Sequence, residues 1–244
     1  MSRSTLKTSP VALSLLSLKR GQGPQKIAAL RVGMIGLAML GGAFISTPSW
    51  AVGQPSYFNS EEVKSTNLRA FKKWTGAQTR YAKEQAASKI GKCGAEKSTK
   101  CNFDKWLKFL DGLKGKDVVS QIRAVNDYMN RAPYIVDPVN WGVKDYWATP
   151  GEFMSKFGDC EDYAIAKYMS LVTLGYNEDD MRIVAVKDLN LKIGHAVLMV
   201  YYKGKPYVLD NQIKQVVPAK TIKHYLPVFS INKTAWWKHI PVGS

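Results

Sequence analysis

Only three histidines and three cysteines occur among the 244 residues, and 19 acidic residues face 35 lysines and arginines. No Cys or His spacing in the chain suits a zinc ion. There is no glycine-rich phosphate loop, no strand–helix alternation of the kind that builds a parallel sheet, no repeat and no low-complexity tract. No apolar run reaches the roughly 20 residues that cross a bilayer. The longest, Val32 to Ile45, is interrupted by Gly33, Gly36, Gly41 and Gly42.

What is present is an ordinary globular composition, 45% apolar and 22% charged, enough for one sizeable core. The first 51 residues stand apart from it. They carry six basic residues (Arg3, Lys7, Lys19, Arg20, Lys26, Arg31) and no acid, then the apolar run, Pro48 and a small-x-small site at Ser49-Trp50-Ala51. That order is an export signal, and cleavage after Ala51 is expected, leaving residues 52–244 as the working domain; an uncleaved N-terminal anchor is the alternative. Taking six positive charges from +16 leaves +10. A basic exported surface is suited to acidic proteins or cell-surface polymers, and export argues against nucleic acid. Of the cysteines, Cys93 and Cys101 flank a short polar loop and make a natural disulfide couple, with two reduced thiols as the alternative, which leaves Cys160 unpaired.

Along residues 52–244 the periodicity is helical first and alternating later. Leu68, Phe71, Trp74 and Tyr81 fit an amphipathic helix in the stretch from Val52 to about Ala87. Phe103, Trp106, Leu107 and Leu110 fit a second, closing at Gly112, and Val118, Ile122, Val125 and Met129 a third, ending before Pro133. The connection Tyr134 to Pro150 holds Trp141, Tyr146 and Trp147, which can contact a partner, line a cleft or enter the core. A further helix opens at Gly158-Asp159-Cys160-Glu161-Asp162 with Asp159 as N-cap, and ends at Gly175. Arg182 to Val186, Ala196 to Tyr202 and Pro206 to Leu209 read as antiparallel strands, the last two joined by a hairpin turn at Lys203-Gly204. The class is α+β, a helical part packed on a small antiparallel sheet.

A thiol in the first turn of a helix faces unpaired backbone N–H groups and the positive end of the dipole, both of which favour thiolate. Cys160 has that position. His195 begins one strand and Asp210 ends its neighbour, so a hairpin can set a base beside the group that orients it. An inert thiol and a structural histidine remain the alternatives from spacing alone. Asp159, Glu161 and Asp162 also crowd the thiol with like charge, which disfavours thiolate. A hard divalent cation would relieve them; a merely acidic first turn is the other reading. His224 and His239 are taken as bystanders, and Trp236 and Trp237 as packing residues of the C-terminal tail.

Lys144-Asp145-Tyr146-Trp147-Ala148-Thr149-Pro150-Gly151-Glu152-Phe153, Gly158 to Tyr168, Val186-Lys187-Asp188-Leu189, His195 and Val208-Leu209-Asp210-Asn211 together resemble the bacterial transglutaminase-like cysteine proteinases, and among them the periplasmic adhesin proteases. The resemblance runs roughly from Asn126 to Phe229. It implies a papain/transglutaminase-like fold, with Cys160 as nucleophile, His195 as base and Asp210 as its orienter. It also implies calcium near the cysteine, assigned to Asp159, Glu161 and Asp162. It further implies a periplasmic enzyme, not integral to the membrane once the signal is gone, that cuts the N-terminal region of a large surface adhesin. An inner-membrane cyclic di-GMP receptor would sequester it. The chain departs from the pattern in the short connection between His195 and Asp210 and in Gly194, where alanine is expected; Cys93 and Cys101 lie outside the resembling block. Two other readings remain open: a hydrolase or acyltransferase of cell-wall peptides using the same three groups, and a non-catalytic binding module.

Overall fold

The computed structural model describes residues 56–89 and 99–242, all within the compact unit Ala51–Ser244. The export segment and Cys93 lie outside the described residues. Cys101 is disulfide-bonded and Cys160 is free. Among the described residues no helix is long and apolar enough to cross a membrane.

Among the described residues six α-helices precede most of the sheet: α1 (Lys72–Lys89), α2 (Thr99–Asp111), α3 (Val118–Met129), the short α4 (Asp137–Asn140) and α5 (Pro150–Lys156), and α6 (Cys160–Thr173). The expected periodicities set their buried faces. Trp74 and Tyr81 of α1, Phe103, Trp106 and Leu110 of α2, and Ile122, Val125 and Met129 of α3 all enter one core. Asp117 caps α3 by accepting the Ser120 N–H at 3.0 Å. α6 is different, because every residue from Asp162 to Leu171 is buried. It is the central helix, flanked by α3 and α5 and lying on the sheet.

The sheet has seven antiparallel strands: β1 (Ser60–Ser65), β2 (Met181–Asp188), β3 (Ile193–Tyr202), β4 (Lys205–Leu209), β5 (Val217–Pro218), β6 (Tyr225–Ile231) and β7 (Trp236–Pro241). Their spatial order is β1-β7-β6-β2-β3-β4-β5. Alternation sends Ile183, Leu198, Val200, Leu209 and Ile231 towards the helices. Val184, Val186, Val197, Met199 and Val208 point the other way, into a second cluster covered by Tyr57, Ala219, Ile222 and Tyr225. The turn at Lys203-Gly204 has both residues in the left-handed region, φ 50° and 69°, which matches the twist of the β3–β4 hairpin.

One expectation is corrected. The region assigned to one helix begins with β1, whose sequence SEEVKS is too polar to read as a strand; it forms through its full ladder with β7. Trp236 and Trp237 pack against the domain as expected, and they do so as part of β7.

His239 on β7 ties this end of the sheet together. Its Nδ1 lies 2.9 Å from Ser60 Oγ, and its Nε2 lies 2.9 Å from Ser230 Oγ and 3.3 Å from the Tyr57 hydroxyl. Burial, and secondarily the nearby Arg182, push its pKa from 6.5 down to about 4. The unfolded chain therefore binds this proton more readily than the folded one, so stability is full above pH 6.5 and is lost as pH falls towards 4. The expected loss from this site is up to about 3 kcal/mol. Urea unfolding at neutral pH and near pH 4.5 should show that His239→Gln removes this part of the acid sensitivity; an equal pH slope in both proteins would contradict it.

Candidate active site

The turn that delivers Cys160 is built by close packing. Phe157 takes a left-handed conformation, φ 65°, and the next residue, Gly158, forms an isolated bridge with Tyr134, its carbonyl accepting the Ile135 N–H at 2.9 Å. Asp162, fully buried, accepts the Ala148 N–H at 2.6 Å and the Asp159 N–H at 3.3 Å. A Cβ on Gly158 would lie 2.0 Å from one Asp162 oxygen and 2.7 Å from its Cβ. Only glycine fits there. Asp159 is the N-cap of α6, as expected, and the hydrogen bond from its own N–H to Asp162 closes the first turn.

The Cys160 thiol donates to Glu161 Oε2 at 3.1 Å. Burial first, then the charges of Glu161 and Asp159, push its pKa well above the ordinary thiol value, while the backbone N–H of Ala196 acts in the opposite direction. Burial and the two carboxylates thus act against the thiolate that a helix terminus favours, which is the conflict expected from the sequence. Contact with the Ala196 N–H also sets the sulfur beside β3, at the residue that follows His195.

His195 pairs with Val186 across β2–β3, and the β3–β4 ladder ends at Leu198 opposite Leu209. Asp210 therefore comes level with Val197, one diagonal step from His195 on the same face. The buried pair meets at 2.9 Å, His195 Nε2 to Asp210 Oδ1. Gln212 Nε2 stands 3.4 Å from the other ring nitrogen, Nδ1. Asp210 further accepts the Tyr225 hydroxyl at 2.6 Å and the Gln212 N–H at 2.8 Å. Burial alone would raise its pKa, but the hydrogen bond and charge of His195, with Tyr225 and Gln212, hold it below the usual carboxylate value.

The structure adds Asp137 and Asp145 to the acidic groups around Cys160, brought there by the α3–α5 connection. Ligand oxygens of Asp137, Asp145 and Glu161 lie within 4.8 Å of one another, as do those of Asp137, Asp159 and Asp162. Asp137 Oδ1 and Asp159 Oδ1 are buried with no hydrogen-bond partner. Burial first, then neighbouring carboxylates, raise the pKa of Asp137 and bring that of Asp159 to about 7. Orphaned buried oxygens in an all-carboxylate group fit a hard divalent cation.

Of the aromatics of the connection, Trp141, Tyr146 and Trp147 pack against the main core, whereas Tyr134 is exposed. Trp141 stacks on Tyr146 at 4.3 Å, with Lys156 and Arg80 over their rings. Also exposed are Val136, Val139 and Val143 on that connection, and Leu189, Leu191 and Ile193 before His195. His224 contacts Tyr225 edge-on and stands 4.0 Å from Asp188.

Gly158→Ala should lower the unfolding free energy by about 2–4 kcal/mol, since the added Cβ strikes a carboxylate locked from both sides. Denaturant unfolding checks this, and a loss under about 0.5 kcal/mol, the size of an ordinary surface substitution, would mean the turn yields freely.

A search of curated proteins finds no match. Among solved structures, Legionella pneumophila LapG is 33% identical, over 65% of this chain and 87% of that one, with a TM-score of 0.54. The calcium-bound form of that protein is 32% identical, over 67% and 92%, and its EGTA-treated form 33%, over 65% and 84%, both with a TM-score of 0.54. The fold is thus papain/transglutaminase-like, as expected. The sequence profile described as bacterial transglutaminase-like cysteine proteinase matches residues 82–243, so the chain belongs to the bacterial transglutaminase-like cysteine proteinase family.

Proposed function

We propose that this cysteine proteinase works through Cys160, His195 and Asp210 and depends on calcium. The observation that carries the reading is the buried His195–Asp210 pair, with Nε2 committed to the carboxylate and the free Cys160 thiol held beside the same strand. With Nε2 bound to Asp210, Nδ1 is the nitrogen that takes the thiol proton. The sulfur attacks the peptide carbonyl carbon, and the developing oxyanion is met by the Cys160 backbone N–H. The C–N bond breaks as His195 returns the proton to the leaving amine, giving a thioester. His195 then deprotonates a water, which hydrolyses the thioester and regenerates the thiol.

Asp137, Asp145, Asp159, Glu161 and Asp162 would hold the calcium. A calcium ion there supplies the positive charge that lets the surrounding carboxylates ionise and makes thiolate less costly. Support comes from the orphaned oxygens of Asp137 and Asp159 and from the calcium-bound relative.

The substrate and setting rest on the sequence resemblance. In this reading Met1 to Ala51 is removed on export, and residues 52–244 act in the periplasm on the N-terminal region of a large surface adhesin. Its release promotes detachment of the biofilm, and an inner-membrane cyclic di-GMP receptor sequesters the protease. The exposed valines and leucines on either side of the site suit an extended peptide with small apolar residues.

Residues 52–244 should cut an adhesin N-terminal fragment bearing a paired-alanine site, should stop when excess chelator is added, and should be inactive as Cys160→Ala. Retained cutting by Cys160→Ala sinks the mechanism; no cutting by folded, calcium-loaded protein sinks the adhesin assignment. Saturating calcium should also raise the thermal midpoint of Cys160→Ala by roughly 5 °C, through binding to the folded state alone. Adding Asp137→Asn should remove most of that rise, whereas an undiminished rise would place the ion elsewhere.

A further inference from the structure

A cleft of about 470 Å³ opens beside the second core cluster, between the turn before β1 and the segment that joins β5 to β6. Tyr57, Phe58, Tyr225 and Pro206 give it apolar walls, and Lys220 and Lys223 are its charged lining residues. A neighbouring cleft of about 280 Å³ shares Pro206 and Lys220 with it and adds Lys205, Tyr207 and Pro218. No carboxylate lines either one. Among the described residues none of the three lysines has an ion pair or a side-chain hydrogen bond.

The turn that forms one wall is strained. Its two central residues, Phe58 and Asn59, are both left-handed, with φ 53° and 50°. Turns of this kind ordinarily use Asn-Gly or Asp-Gly, because a bulky side chain is disfavoured there. The surroundings hold it: Ser60 Oγ donates to the Tyr57 carbonyl at 2.9 Å, and Asn59 accepts the Val242 N–H at 3.0 Å and donates Nδ2 to the Val242 carbonyl at 3.2 Å. The Phe58 ring is thereby fixed edge-on to Tyr57 at 5.3 Å and to Tyr225 at 5.8 Å. Strain kept at the wall of a cleft points to a use for the ring it places there.

The volume falls within the range of small-molecule sites, roughly 300–1,000 Å³. Unpaired ammonium groups with no acid among them leave a positive potential that suits an anion and repels a metal ion. Aromatic and proline walls suit a flat apolar body. Tyr225 further joins the cleft to the active site, since its ring lines the one and its hydroxyl donates to Asp210 at 2.6 Å in the other.

We propose that this cleft is a binding site for a small organic anion with a flat aromatic body, an aromatic carboxylate or sulfonate, whose charge lies at Lys220 and Lys223 and whose body lies against Phe58, Tyr57 and Tyr225. It contains none of the residues assigned to proteolysis or to calcium.

An NMR titration of residues 52–244 with 2-naphthoate tests it. Binding should saturate with a dissociation constant below roughly 1 mM, and the shifted amides should gather at residues 57–59 and 220–225. The same body without charge, 2-naphthalenemethanol, and the charge without the body, acetate, should each bind at least roughly tenfold more weakly. Lys220→Ala/Lys223→Ala should weaken 2-naphthoate by a similar factor and leave the thermal midpoint within about 2 °C, because both side chains are exposed. Unchanged affinity in that variant, or equal affinity for the alcohol, would overturn the anion site, and equal affinity for acetate would overturn the aromatic one. Shifts scattered over the surface, or no saturation by roughly 10 mM, would overturn the cleft itself. Probe and readout involve no cleavage, so failure here is distinct from failure of the protease mechanism.

Discussion

The site depends on a carboxylate that no water reaches. Asp162 is buried at the start of α6, and its two oxygens accept the N–H groups of Ala148 and Asp159. Those bonds join the end of the α3–α5 connection to the first turn of α6, and they fix the direction in which Cys160 leaves the turn. Gly158 is the counterpart of that arrangement, since any side chain there would occupy the space of the carboxylate. A buried carboxyl held by two backbone donors is worth keeping only where the backbone geometry matters to a fraction of an ångström. Here it matters because the next residue but one before it is the thiol.

The same crowding creates the electrostatic problem of the site. The helix terminus and the Ala196 N–H favour thiolate, yet burial and the charges of Glu161 and Asp159 outweigh them. One carboxylate a few ångströms away offsets a helix dipole, which contributes about 0.3–1 kcal/mol. Asp137 and Asp145 add two more acids to the group, Asp145 in an ion pair with Lys73. The two largest countercharges the arrangement can acquire are an imidazolium at His195, stabilised by Asp210, and a divalent cation among the acids. In the proposed mechanism, thiol activation would accordingly be a property of the loaded, assembled site and not of the helix terminus alone.

The sequence made some of this visible and hid the rest for physical reasons. α2, α3 and α6 were legible because their apolar faces recur at helical spacing, and the β3–β4 hairpin because Lys203-Gly204 marks a turn between β-branched runs. From that hairpin the meeting of His195 and Asp210 followed, since register alone brings them one diagonal step apart. β1 was illegible because Ser60 to Ser65 carries no apolar alternation and becomes a strand only against β7. Asp137 and Asp145 escaped notice because they precede Cys160 by more than a dozen residues and reach it through the folding of an irregular connection. Tyr225 and Gln212 complete the hydrogen bonds of Asp210, yet nothing local in the sequence marks either.

Two histidines of this chain are buried to the same degree, and their surroundings suit them to different roles. His239 is surrounded by the hydroxyls of Ser60, Ser230 and Tyr57. Hydroxyls satisfy both ring nitrogens of a neutral imidazole but offer little to an imidazolium, and the adjacent Arg182 opposes a second positive charge, so the ring stays neutral. His195 has a carboxylate on Nε2, itself holding two further donors, the Tyr225 hydroxyl and the Gln212 N–H, and only a loose amide contact on Nδ1. A carboxylate partner lowers the cost of the charged ring and leaves the second nitrogen available to a proton. Burial and strand position are shared by the two, but a carboxylate is hydrogen-bonded to His195 at 2.9 Å and stands only at 4.0 Å from His239; in the proposed mechanism it is the directly bonded charge that suits His195 to take the proton of the thiol.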